Sequence, residues 1–131
     1  MARTLLLVAL VASAALLGGG CDDSSTSPSD VSTATLAVGS ETFRVALTTP
    51  QQVAAARAAQ GGGRARIPNG RIVAGAQVNT GWTWHLEDVE FVEVAIELCD
   101  GRPSDVERQG TAFGGGRFCP WSATVTRVEE R

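Results

Sequence analysis

The chain contains no lysine and no tyrosine, and its only histidine is His85. A tetrahedral zinc site takes three or four ligands, and neither a second histidine nor a pair of cysteines at ligand spacing is there to supply them. Aromatic residues amount to 5% of the sequence, three Trp and four Phe, so every large ring is in demand for a core. No G-x-S-x-G turn exposes a nucleophilic serine. Gly114-Gly115-Gly116 lacks the following Lys and hydroxyl residue that would complete a phosphate cradle. The eleven basic residues are all arginine and are outnumbered by 14 acidic ones. The formal charge of −3 keeps a small domain soluble and gives no electrostatic case for nucleic acid. Arginine without lysine, among abundant Ala and Gly, points to a GC-rich genome.

A short basic start with Arg3 is followed by an apolar run from Leu5 to Leu17, the pattern of a signal peptide. The run falls short of the roughly 20 apolar residues that span a bilayer. Gly19 and Gly20 directly before Cys21 resemble the lipobox of bacterial lipoproteins, with Gly18 standing where that pattern has an aliphatic residue and Leu17 one step further back. The resemblance implies cleavage after residue 20, lipidation of the Cys21 thiol, and palmitate-type acyl chains as the membrane anchor, since each buried methylene adds about 0.8 kcal/mol. The expected place of the protein is therefore the bacterial cell envelope, with its domain outside the cytoplasm. Residues 21–32 contain Asp22-Asp23-Ser24-Ser25-Thr26-Ser27-Pro28-Ser29-Asp30, with no large apolar group to bury, and read as a flexible tether. An Asp at position 22 also resembles an inner-membrane retention signal. Residues 33–131 are expected to form one domain.

With Cys21 assigned to lipid, Cys99 and Cys119 remain. In an oxidising compartment they are the natural disulfide, closing a loop worth about 3 kcal/mol on the chain-entropy model. The alternative is two free thiols at a reactive site, without a CxxC spacing or a neighbouring base in sequence.

From Thr33 the pattern alternates, with Ala34, Leu36 and Val38 on one face, and after Gly39-Ser40 it continues through Phe43, Val45 and Leu47, a hairpin. Thr49-Pro50-Gln51-Gln52 carries an N-cap, a proline at the first helical position and a capping-box Gln, and Gly61-Gly62-Gly63 ends the helix. Residues 64–67 and 71–74 flank Pro68-Asn69-Gly70, which predicts a second hairpin with Pro68 at an edge. Residues 82–86 alternate again. Residues 89–99 predict a long strand with Val92, Val94, Ile96 and Leu98 on its core face and Glu93 and Glu97 in solvent. Ser104 and Glu107 predict a second capping box over a short helix, and residues 121–128 a last strand. The sum is an α+β domain dominated by antiparallel sheet, with one main helix and a short second one.

Phe43-Arg44-Val45, Ile67-Pro68-Asn69-Gly70-Arg71-Ile72, Trp82-Thr83-Trp84-His85-Leu86, the stretch from Glu97-Leu98-Cys99-Asp100-Gly101-Arg102-Pro103 through Ser104-Asp105-Val106-Glu107, and Phe118-Cys119-Pro120-Trp121-Ser122 together resemble a small family of secreted domains. That family resembles the N-terminal domain of a slime-mould calmodulin-binding protein. The resemblance covers residues 42–128 and implies no catalytic set. No calmodulin partner is expected in a bacterial envelope, and the helix, with Arg57 as its one cation, is not the basic amphipathic kind that calmodulin grips.

Four constellations carry candidate chemistry. His85 shares a strand face with Glu87, so the pair could bind metal or move a proton, or else the imidazole is simply hydrogen-bonded at a sheet edge. Trp82, Trp84 and Trp121 are either core rings or an exposed platform, with Trp121 placed to pack on the disulfide. Glu87, Asp88, Glu90, Glu93 and Glu97 lack the EF-hand spacing and read as a wet face. Arg64 and Arg66, beside Asn69, sit on a glycine-rich basic loop of the kind that small protease inhibitors also carry. The expectation is a non-enzymatic binding module without cofactor or metal, meeting a protein partner in the envelope. Its contact residues are sought among Arg64, Arg66, Asn69, Trp82, Trp84 and His85. Inhibition of an extracytoplasmic protease through residues 64–70 is the alternative, and an enzyme using His85 a third.

Overall fold

A computed structural model describes residues 30–131, so the signal segment, Cys21 and most of the tether lie outside the described residues. Six strands and two helices follow in order: β1 (Ser32–Val38), β2 (Glu41–Leu47), α1 (Pro50–Gln60), β3 (Ile67–Ala74), β4 (Trp84–Val92), α2 (Pro103–Gln109), β5 (Arg117–Phe118) and β6 (Thr124–Glu129). A 3-10 turn at Glu97–Cys99 precedes α2 and another, Gly110–Gly115, follows it. The strands form two antiparallel three-stranded sheets, β2-β1-β6 and β4-β3-β5. The fold is α+β, as the sequence pattern predicts, and Cys99 is bonded to Cys119 with their Cα atoms 5.1 Å apart. No helix among the described residues is long and apolar enough to cross a membrane.

The first hairpin and α1 form as their sequences dictate. Ala34, Leu36, Val38, Phe43, Val45 and Leu47 all face the core. Thr49 caps α1, accepting from the Gln52 N–H, while the Gln52 side chain accepts from the Thr49 N–H at 3.2 Å. That same Gln52 donates to the Val89 carbonyl at 3.0 Å, which ties the helix to β4. Between the sheets Phe43, Trp84 and Phe118 form a ring cluster with centroids 5.4 to 6.0 Å apart. Such pairs add about 0.5 to 1.5 kcal/mol each beyond their area.

Three expectations are corrected. Pro68-Asn69-Gly70 does not turn the chain: it lies inside β3, with Pro68 opposite Phe91 and Asn69 opposite Glu90. Gly70 is required there for close approach, since a Cβ would stand 2.9 Å from the Leu86 Cβ and 3.1 Å from the Val89 Cγ2. Pro68 is tolerated because β5 reaches only Gly70 and Arg71, so at Pro68 the strand has a neighbour on one side alone. The second capping box also differs. Arg102 is the N-cap, Pro103 opens α2, and Asp105 accepts from the Arg102 N–H at 2.9 Å. Glu107 instead accepts from the Thr83 N–H and hydroxyl, at 3.0 and 2.9 Å.

The third correction has the widest consequence. Segments 82–86 and 89–99, read as separate strands, are one strand that ends at Val92. Opposite Gly70 the register slips, because Asn69 pairs Glu90 while Arg71 pairs Glu87, and Asp88 takes a φ of 52°. Two residues of β4 thus oppose one of β3, a bulge. The bulge reverses the alternation: Trp84 and Leu86 face the core before it, and Val89 after it. Val94, Ile96 and Leu98, placed on the core face by simple alternation, are instead 83%, 65% and 67% exposed.

Candidate binding surface

His85 lies on the edge strand β4 and is only 4% exposed. Its Nδ1 is 2.6 Å from the Gly75 carbonyl oxygen, and its Nε2 is 3.1 Å from Glu87 Oε1. Arg71 on the paired strand donates to Glu87 Oε2 at 2.6 Å and to Asp88 Oδ2 at 3.4 Å. The hydrogen bond from His85, then the one from Arg71, hold the Glu87 carboxyl below the usual carboxylate range. The predicted His85–Glu87 contact is therefore present, with both ring nitrogens already engaged by the protein. No group of three His, Cys, Asp or Glu residues suited to a metal ion occurs among the described residues.

The remaining predicted residues scatter. Trp84 is buried in the ring cluster, its Nε1–H without a partner among the described residues. Trp82, half-buried, packs 6.1 Å from Trp84 and donates through Nε1 to the Thr42 carbonyl at 2.9 Å. Asn69 accepts from the Arg117 Nε at 2.7 Å. Arg64 and Arg66 remain on the surface, apart from His85 and Trp84, in the loop between α1 and β3.

What Arg64 and Arg66 do meet was not foreseen as a site. They share a shallow cleft of about 470 Å³ with Gly63, Glu93, Val94 and Trp121. Trp121 is 45% exposed and lines this surface, where the sequence pattern had placed it on the disulfide. Val94 lines it, and Ile96 and Leu98 follow along the chain with exposed side chains. The disulfide holds this ridge in place: Cys119 N–H donates to the Cys99 carbonyl at 2.8 Å, and the Trp121 N–H donates to Asp100 Oδ1, also at 2.8 Å. Beneath the ridge Gly114 is forced, since a Cβ there would lie 2.8 Å from the Cys99 Cα. The glycine run thus serves packing.

The bulge and the end of β4 at Val92 were the missing signals. Without them Val94, Ile96 and Leu98 read as core, and no composition cue marks them as exposed. Asp88-Val89 opposite a strand glycine is the only local hint.

A model of the BP-74 N-terminal domain family matches residues 30–131. The chain belongs to this family. The match takes in every described strand, so β1 and β6 of this BP-74 N-terminal domain are parts of the family unit and not additions to it. Neither the curated proteins nor the solved structures give a match to the chain. Membership in the BP-74 N-terminal domain family suggests a binding module and brings no ligand, catalytic residue or anchor with it.

A second concavity lies at the opposite end of the domain. It measures about 960 Å³ and is lined by Asp30, Leu47, Pro50, Val53, Val78 and Arg131, among others. Asp30, the first described residue, is part of its lining.

Proposed function

We propose that the protein is a non-enzymatic binding module, lipid-anchored through Cys21 in the bacterial envelope, whose contact face is the ridge of Val94, Ile96 and Leu98 with Trp121, Arg64 and Arg66. The observation that carries this reading is the exposure of three large aliphatic side chains in succession on one short, disulfide-braced segment. Contiguous exposed apolar surface rimmed by polar groups marks interaction sites. A rim of two arginines and a tryptophan adds the residue types that dominate contact energies.

The lipid anchor draws its support from the apolar run, Gly19-Gly20-Cys21 and the polar tether. It is tested by Cys21→Ser, which releases the protein from the membrane fraction if Cys21 carries the lipid; a variant that stays bound contradicts the anchor. The binding face is tested by placing a photo-crosslinking amino acid at Ile96 and, separately, at the exposed Thr126 on β6, in cells. Adducts from Ile96 alone support the ridge. Equal adducts from both positions, or none from Ile96, contradict it.

Protease inhibition through residues 64–70 has less support, because residues 67–70 are held in β3 and only Arg64 and Arg66 are free to meet an active site. An enzyme using His85 has less still, since the ring is enclosed and both nitrogens are engaged.

A further inference from the structure

Building on the binding face assigned above, we propose that the cleft between residues 62–67 and 93–94 takes an extended, acidic segment of a partner protein, which pairs with the free backbone of residues 94–96 just past the end of β4. The last pair of the β3–β4 ladder is Ile67 with Val92. Were the ladder to continue, Arg66 would stand opposite Glu93. Instead the Arg66 N–H turns back to the Arg64 carbonyl at 3.0 Å, and the Gly63 N–H goes to Ala58 of α1 at 2.9 Å. The β3 side peels away toward the helix, the β4 side bends at Glu93, and the cleft of about 470 Å³ opens between them.

Past that bend the chain is unpaired up to the Glu97–Cys99 turn. Ile96 keeps an extended backbone, φ −72° and ψ 147°. The N–H groups of Val94, Ala95 and Ile96 make no hydrogen bond among the described residues. Unpaired backbone on an extended segment is a template for another chain, and strand addition at such an edge is a recurring mode of peptide recognition. β4 at one end and the Cys99–Cys119 bond at the other fix the segment before anything binds, so little ordering entropy is lost on pairing.

Charge selects the occupant. Arg64 and Arg66 form no ion pair among the described residues, whereas five other arginines do. Aspartate or glutamate on the incoming strand meets them, in a register that keeps its carboxylates away from Glu93 and Glu97. A second copy of this chain is a poor occupant: antiparallel self-pairing centred on Ala95 sets Glu93 opposite Glu97, and like charges directly opposite destabilise a pair. The anchoring membrane is poorly placed too. The chain enters at Asp30 beside the first residue of β1, while Thr124, just after Trp121, pairs Ala37 at the far end of that strand. Seven residues of strand separate the two ends by roughly 20 Å.

The test pans a random twelve-residue peptide library, displayed on phage, against the full-length chain carrying Cys21→Ser. Enriched peptides are then synthesised and their affinities measured. The expected peptides alternate apolar and polar residues and carry Asp or Glu. Their affinity falls at least tenfold with Ile96→Asp and several-fold with Arg64→Ala plus Arg66→Ala. N-methylating one alternate set of peptide amides weakens binding at least tenfold, and the other set leaves it unchanged, because only one edge of an added strand faces the domain. Thermal melting confirms that the Ile96→Asp variant folds. If Ile96→Asp abolishes binding but neither N-methylated set matters, strand addition is wrong and the binding face stands. If no peptide is enriched, or the enriched ones ignore Ile96→Asp, the face itself is wrong. Ile96-dependent binding to phosphatidylglycerol vesicles, or Ile96-dependent dimerisation in sedimentation, in place of peptide binding would overturn the assigned occupant.

Discussion

The side chain of Asn79 binds the backbone of Arg44: its Oδ1 accepts from the Arg44 N–H at 2.9 Å, while its Nδ2 donates to the Trp84 carbonyl, also at 2.9 Å. Arg44 is in β2 and Trp84 in β4, the facing edge strands of the two sheets. A fully buried carboxamide thus stitches the sheets together and satisfies two backbone groups that neither sheet can pair.

Replacing Asn79 by Ala strands both groups. Leaving a buried donor or acceptor unmade costs about 1 to 3 kcal/mol each, so Asn79→Ala is expected to lose about 2 to 6 kcal/mol. Urea unfolding measures it, and a loss under about 0.5 kcal/mol contradicts the stitch.

The disulfide is expected to act on stability and on the ridge together. A sequence separation of 20 residues corresponds to about 3 kcal/mol on the chain-entropy model. Denaturant unfolding with and without reductant reads the first effect. Amide exchange at Cys119 and Trp121, faster on reduction, reads the second, because their N–H groups are held by the Cys99 carbonyl and Asp100 at the end of the ridge. Unchanged exchange would mean that β4 alone holds the ridge.

Much of this fold is written in local chemistry. The β1–β2 hairpin, with Leu36 and Phe43 inward and Gly39 at its turn, follows from period-two alternation, and α1 follows from Thr49, Pro50 and Gln52. Cys99 and Cys119 pair once Cys21 is set aside. What stayed hidden was non-local. Gly70 carries the sequence mark of a turn, yet it is glycine because Leu86 and Val89 crowd it from a neighbouring strand. The bulge at Asp88 shifts the alternation of β4 and the strand ends at Val92, so Val94, Ile96 and Leu98, whose pattern says core, lie beyond the sheet on the surface. Glu107 has the spacing of a capping residue and spends its carboxylate on Thr83, 24 positions away. No single-strand or single-helix periodicity contains such information.

Gly70 separates these two readings experimentally. A Cβ added there overlaps Leu86, and overpacking of this kind costs about 1 to 3 kcal/mol. Gly70→Ala is therefore expected to lower the unfolding midpoint measurably. Because Gly70 does not lie in the left-handed region, Gly70→Ala combined with Val89→Ala, which removes the Cγ2 at 3.1 Å, should lose less than the sum of the two single changes, a coupling that a turn glycine would not show.

Glu87 gives the domain an acid sensitivity. Its carboxyl titrates below the ordinary value of 4.5, chiefly through the His85 hydrogen bond and then Arg71. A lowered carboxyl contributes stability that is complete above the unfolded value and lost as the pH drops through the folded one. Glu87→Gln should therefore be less stable than the parent at pH 7, with the difference shrinking toward pH 3. A difference that is constant across that range would mean the network does not depend on the carboxylate charge.

Val94, Ile96 and Leu98 lie outside the core, and the binding face depends on their doing so. The most direct measurement is the unfolding free energy of the triple variant Val94→Asp, Ile96→Asp, Leu98→Asp, paired with in-cell crosslinking from a probe at Trp121. Exposed positions tolerate substitution within about 0.5 kcal/mol each, so the variant should unfold close to the parent while losing its Trp121 adducts. A destabilisation beyond about 3 kcal/mol, or adducts that persist unchanged, would show that these residues belong to the core or that binding takes place elsewhere.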